Sequence, residues 1–140
     1  MRILLADDHA IVRRHVRNIL LAQTGWEVCA EAATGREGVT MTAKEHPDLV
    51  VLDLSMPGLN GIEAARLIHE QFPEMDMIIL SMHEPYEVMD QLAGSGVLAC
   101  VLKTDLEDLV VAIRGIQKFR TSPTVIAPSK SRSGGKAHVA

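Results

Sequence analysis

Residues 50–61 read VVLDLSMPGLNG: apolar residues, one carboxylate at Asp53, then a turn built on Pro57 and Gly58. The apolar run over residues 49–52 has no polar face, which fits a strand buried on both sides. An acid that ends such a strand can serve the turn by accepting a hydrogen bond from a nearby backbone N–H. It can also be a reactive group, and the choice depends on what other strands bring to the same place.

Working outward, four more short apolar runs read as strands, at residues 3–6, 28–32, 77–80 and 99–102. Between them lie segments with helical spacing. The first has Val12, Val16, Ile19 and Leu20; the third has Ile62, Ala65, Ile68 and Phe72; the last has Leu106, Leu109, Val110, Ile113 and Ile116. Thr34 with Glu37, Asn60 with Glu63 and Thr104 with Glu107 have the spacing of helix-starting capping boxes. Pro85 suits a first helical turn, and Gly25, Pro47, Pro73, Gly94 and Gly96 supply stops. A strand followed by a helix, five times over, predicts an α/β fold with a parallel sheet covered on both faces. Right-handed crossovers make it doubly wound.

The 140 residues suffice for one domain with its own core. Aromatic residues make up only 3%, so the core is aliphatic and filled in with methionine, and few rings remain for stacking on bases. The net charge of −4 is unevenly spread: Arg120, Lys130, Arg132 and Lys136 leave 10 bases against 18 acids over residues 1–119. That acidic body repels nucleic acid. Residues 120–140 carry bases, Pro, Ser and Gly without periodicity and are expected to be a largely unstructured basic tail. No apolar run is long enough for a signal peptide or a membrane span, so a cytoplasmic protein is expected. Cys29 and Cys100 have no metal-ligand spacing and read as buried free thiols.

In a doubly wound sheet all carboxyl ends of the strands meet at one edge, where ligands bind. Asp7 and Asp8 follow the first strand, Asp53 ends the third, Ser81 follows the fourth and Lys103 the fifth. Each alone has an ordinary explanation: Asp8 as a helix cap, Asp53 and Ser81 as turn residues, Lys103 as a surface lysine. Together they make a poor structural device, because three carboxylates at one place repel and need balancing. A hard divalent cation such as Mg2+, with the Lys103 ammonium, would balance them and also neutralise a phosphoryl group. A carboxylate that attacks phosphorus needs that neutralisation. The cluster therefore reads as a phosphoryl acceptor.

The segments LLADDH, VVLDLSMPGLNG, IILS and VLK, in that order, resemble the receiver domain of bacterial two-component response regulators over residues 1–119. The resemblance implies a flavodoxin-like fold with strand order 2-1-3-4-5. It also implies that Asp53 accepts a phosphoryl group from a sensor histidine kinase or phosphotransfer protein. Asp7, Asp8 and Asp53 would bind Mg2+ with the backbone carbonyl of Ser55, while Ser81 and Lys103 would respond to the phosphoryl group. The implied role is a regulatory switch rather than an enzyme, with homodimerisation on phosphorylation among the expected partner modes. The helix 1–helix 5 face and the helix 4–strand 5–helix 5 face are both open as docking surfaces.

The pattern DDHAIVRR with HPDLVVLDLSMPGLNGIEAARLI is most similar to receivers that precede a LuxR-type helix-turn-helix output domain. No amphipathic helix pair follows Phe119, so direct DNA binding by this chain is not expected unless an output domain was removed. Two positions depart from the family pattern. Cys100 stands where the family usually has an aromatic residue three before the lysine, and Thr104 stands where proline often follows it. A thiol is too small to swing between packed sites as a ring does, so the loop MHEPYE after Ser81 is expected to carry the response, with Tyr86 as surrogate.

Three rivals are weaker. A degenerate receiver working by contact alone would not need all five site positions. An aspartyl-phosphate phosphohydrolase would need an acid where Ser55 stands. A flavin module lacks a phosphate loop after the first strand. The cysteines supply a check on topology: in the order 2-1-3-4-5 they lie four strand spacings apart, roughly 19 Å, too far for a disulfide.

Overall fold

A computed structural model describes residues 1–121 and 137–139. Strands β1 (Arg2–Ala6), β2 (Glu27–Ala32), β3 (Leu49–Asp53), β4 (Asp76–Ser81) and β5 (Val97–Leu102) alternate with helices α1 (Ala10–Leu21), α2 (Gly35–Glu45), α3 (Gly61–Gln71), α4 (Pro85–Leu92) and α5 (Glu107–Thr121). The first five strands pair in parallel in the order β2-β1-β3-β4-β5, the flavodoxin-like arrangement expected. A sixth strand, β6 (Ala137–Val139), adds antiparallel to β5.

Alternate residues along each strand feed two cores. Leu4, Val50, Leu52 and Ile79 face Ile62, Ala65, Ile68, Val88 and Leu92 of α3 and α4, and Val39 of α2 packs there too. Ile3, Leu5, Val51, Ile78 and Leu80 face Val16 and Leu20 of α1 and Leu109 and Ile113 of α5. Every residue of β3 is buried, as a strand covered on both faces requires. Removing one of these side chains, as in Leu52→Ala, typically costs about 2–5 kcal/mol.

Helix starts follow the sequence signals in part. Asn60 and Glu63 form a complete capping box on α3, Thr34 accepts from the N–H of Glu37 on α2, and Pro85 opens α4. The Thr104 hydroxyl lies 3.2 Å from Asp105 Oδ2. Gly25, Gly94 and Gly96 take positive φ at the expected stops, and His46 takes it at the end of α2, just before Pro47.

Helix α5 continues to Thr121, past the boundary expected at residue 119, and Arg120 is tied by its guanidinium to Asp76 at the start of β4. The expectation of an unstructured tail falls mostly on residues 122–136 and 140, which lie outside the described residues. Cys29 on β2 and Cys100 on β5 are free and sit on strands separated by β1, β3 and β4.

Candidate phosphoryl-acceptor and metal site

Backbone bonds carry the ladder past the ends of the strands and hold the site residues in place. The N–H of Asp7 donates to Ala32 O, that of Leu54 to Leu80 O and that of Lys103 to Ser81 O, at 2.8–3.0 Å. Asp7, Asp53, Ser81 and Lys103 thereby emerge at one edge from four strands or their exits.

Three of these side chains are oriented by the same local device. Asp7 Oδ1 accepts from the N–H of His9 at 2.8 Å, Asp53 Oδ1 from Ser55 at 3.3 Å and Ser81 Oγ from His83 at 2.9 Å. Each is a side-chain bond to the backbone two residues on, the Asx or hydroxyl turn that Asp and Ser form readily. The turn role and the reactive role of Asp53 are thus compatible. One oxygen serves the turn, while Oδ2 is buried and accepts no hydrogen bond from the described residues.

Lys103 joins the carboxylates. Its Nζ lies 3.0 Å from Asp7 Oδ2 and 3.0 Å from Asp53 Oδ1, and its side chain is only 9% exposed. It is a buried bridge, not a surface lysine. Burial opposes its charge, but Asp53 and Asp7 outweigh that and hold the ammonium above its ordinary pKa. Asp53 behaves oppositely: burial, with Asp7 adding to it, outweighs the help of Lys103 and the Ser55 N–H and raises the carboxyl from 3.8 to about 6. One ammonium does not compensate two buried carboxylates.

Asp8 is partly exposed and makes no cap on α1; the capping position belongs to His9, whose side chain makes no cap bond either. His9 Nδ1 lies 3.0 Å from Asp8 Oδ1 instead. Donor atoms of Asp7, Asp8, His9 and Asp53 all fall within 4.8 Å of one another. Three carboxylates, one with an unpartnered buried oxygen, fit a hard divalent cation such as Mg2+. No sequence pattern announces His9 here, because its reach into the cluster depends on how the chain leaves β1.

Gly61 fixes the geometry from behind. A Cβ there would lie 2.3 Å from the backbone oxygen of Asp53, and the Gly61 N–H donates to Leu54 O at 2.9 Å. Gly61→Ala should therefore push the acceptor strand and α3 apart, costing about 1–3 kcal/mol and weakening Mg2+ binding. Urea denaturation and Mg2+ titration of the variant check this; unchanged values in both would contradict the close approach.

A shallow cleft lined by Leu54, Ser55, Asn60, His83, Glu87, Val88 and Gln91 opens beside the acceptor. His83 and Ser55 are exposed at its rim. Cys100 is fully buried against the α4-side core, and burial raises its thiol pKa to about 11, so it is inert. Tyr86 is 68% exposed on α4.

Residues 3–114 match the family described as the response regulator receiver domain, and the chain belongs to that family. It is a regulatory phosphoacceptor domain of a two-component system rather than an enzyme. Among curated proteins it is similar to the uncharacterized transcriptional regulatory protein YhcZ of Bacillus subtilis, 40% identical over 111 residues, covering 79% of this chain and 52% of YhcZ. It is also similar to the oxygen regulatory protein NreC of Staphylococcus epidermidis, 39% identical over 123 residues, covering 86% and 56%. The chain thus spans about half the length of these curated relatives. Among solved structures, a two-component response regulator of the LuxR family from Aurantimonas sp. superposes with a TM-score of 0.80 at 36% identity, over 84% of this chain and 85% of that one. No helix among the described residues is long and apolar enough to cross a membrane.

Proposed function

We propose that Asp53 is the phosphoryl acceptor of a two-component relay, charged by a sensor histidine kinase or phosphotransfer protein in a Mg2+-dependent step. The observation that carries this reading is the unpartnered, buried Asp53 Oδ2, set beside a lysine and two further carboxylates. Asp7, Asp8 and Asp53 would hold Mg2+, together with the Ser55 carbonyl. When bound, the ion neutralises charge on the acceptor and on the incoming phosphoryl oxygens.

The rest follows from the chain's own groups. The Ser55 N–H fixes Asp53 Oδ1 and leaves Oδ2 as the nucleophile. In the transfer, Oδ2 forms a bond to phosphorus as the phosphorus–nitrogen bond to the donor histidine breaks, and the imidazole leaves with that electron pair. Lys103 then exchanges part of its pairing with Asp53 for a phosphoryl oxygen, and the Ser81 hydroxyl turns to donate to another. Because Ser81 Oγ also accepts from the His83 N–H, its reorientation is transmitted directly to the loop that starts α4. The phosphorylated arrangement is favoured to the extent that these contacts exist only there. With Cys100 too small to report the change, residues 82–90 carry it to the surface.

Solution NMR with Mg2+ and the phosphoryl mimic beryllofluoride tests both parts. Large shifts are expected around Asp53 and Lys103 and throughout residues 82–90. No response at the site would sink the acceptor reading, whereas a response confined to the site would sink only the output route.

A further inference from the structure

The two outer strands of the parallel sheet have edges of different character. Among the described residues β2 leaves one edge unpaired, but it carries the exposed acids Glu27 and Glu31, and its register slips at Cys29. Charges and bulges are devices that keep a free edge from templating another strand. β5 lacks both along residues 99–101: Ala99, Cys100 and Val101 are buried and uncharged, and the register slip of β5 lies earlier, at Leu98. Here β6 is laid down antiparallel, with Val139 opposite Ala99, His138 opposite Cys100 and Ala137 opposite Val101. The unprotected edge is the covered one.

We propose that the outer edge of β5 is a strand-acceptor site, filled in cis by residues 137–139, and that this strand prevents a second copy of the chain from pairing edge to edge through β5. An uncovered stretch of β5 would present a regular row of free N–H and C=O groups, and an identical stretch of another copy is complementary to it in antiparallel register. Such pairing would join the two sheets across the face formed by α4, β5 and α5. β6 therefore selects between the two open docking faces, leaving that of α1 and α5 available.

The test uses the full chain and the double variant Ala137→Pro with His138→Pro. Successive N–H groups along a strand point to opposite sides, so one of the two prolines removes a donor facing β5 in either phase. Urea midpoints report folding separately. Hydrogen exchange at the outward-facing amides of residues 99–101 is expected to accelerate at least about tenfold. Sedimentation equilibrium should then show a concentration-dependent dimer absent from wild type. Unchanged exchange would overturn the strand-acceptor assignment, and faster exchange without a dimer would overturn the masking role. A wild-type dimer that the prolines dissociate would overturn filling in cis in favour of strand exchange.

Discussion

Without divalent cation at pH 8, Lys103→Met should lose about 3–5 kcal/mol of stability in urea denaturation, because breaking a buried pair strands its partners' charge. The substitution keeps the length and the apolar stem of the side chain. It leaves Asp7 and Asp53, both almost wholly buried, facing each other with no ammonium between them. The loss should shrink at pH 5, where a carboxyl of the pair takes up a proton and the repulsion falls. Lys103 in the wild type has its pKa raised and stays charged over this range, so the pH dependence belongs to the carboxylates. A loss of less than about 0.5 kcal/mol at both pH values, the ordinary range for surface substitutions, would mean that Lys103 does not bridge them.

Asp53→Asn should act in the opposite direction. The Asp53 carboxyl is raised from 3.8 to about 6 by burial and by Asp7, so the native state binds more protons than the unfolded chain between those values. Wild-type stability contributed by this group therefore falls as pH rises from about 4 through about 6, and the penalty is complete above that. Removing the charge should make the metal-free variant more stable than wild type by about 1–3 kcal/mol at pH 8, with the difference vanishing near pH 4. Mg2+ should reverse the order, since binding to the native state adds about 2.7 kcal/mol at a hundred times the dissociation constant and the variant has lost a ligand. Thermal or urea unfolding across pH, with and without Mg2+, reads both effects. A metal-free variant that is less stable than wild type, increasingly so at high pH, would contradict the assignment.

These two substitutions probe the same conflict. The site concentrates negative charge that the protein alone does not neutralise, and that excess suits it to a cation, whose charge would in turn offset that of an incoming phosphoryl group. The stability it forgoes in the metal-free state is the counterpart of its affinity for ligands.

Much of this was legible in the sequence, for local reasons. Strands of four or five apolar residues between helical segments suffice for a parallel sheet, and that topology sends Asp7, Asp53, Ser81 and Lys103 to one edge without knowledge of any side-chain conformation. The Asn60 and Glu63 capping box is equally local and was readable for that reason. What depends on distant parts of the chain was not. The Lys103 bridge requires β5 to leave the sheet at a particular height above β1 and β3. The need for glycine at residue 61 arises from the approach of α3 to the Asp53 carbonyl, which no local pattern announces. The extension of α5 to Thr121 follows Arg120 finding Asp76, 44 residues away. β6 is three residues long, too short to carry a periodicity of its own. Asp53 itself showed why single positions mislead: its turn bond and its free oxygen are both real, and only the neighbours reveal which atom does which.

Whether Asp53 is the acceptor is tested most directly by intact-mass spectrometry of the full chain after incubation with a small phosphoryl donor, with and without Mg2+, followed by peptide mapping. The expected result is a single added phosphoryl group on Asp53 that requires Mg2+ and is absent from Asp53→Asn. An adduct that forms equally in Asp53→Asn, or none in the wild type with Mg2+ and donor present, would contradict it.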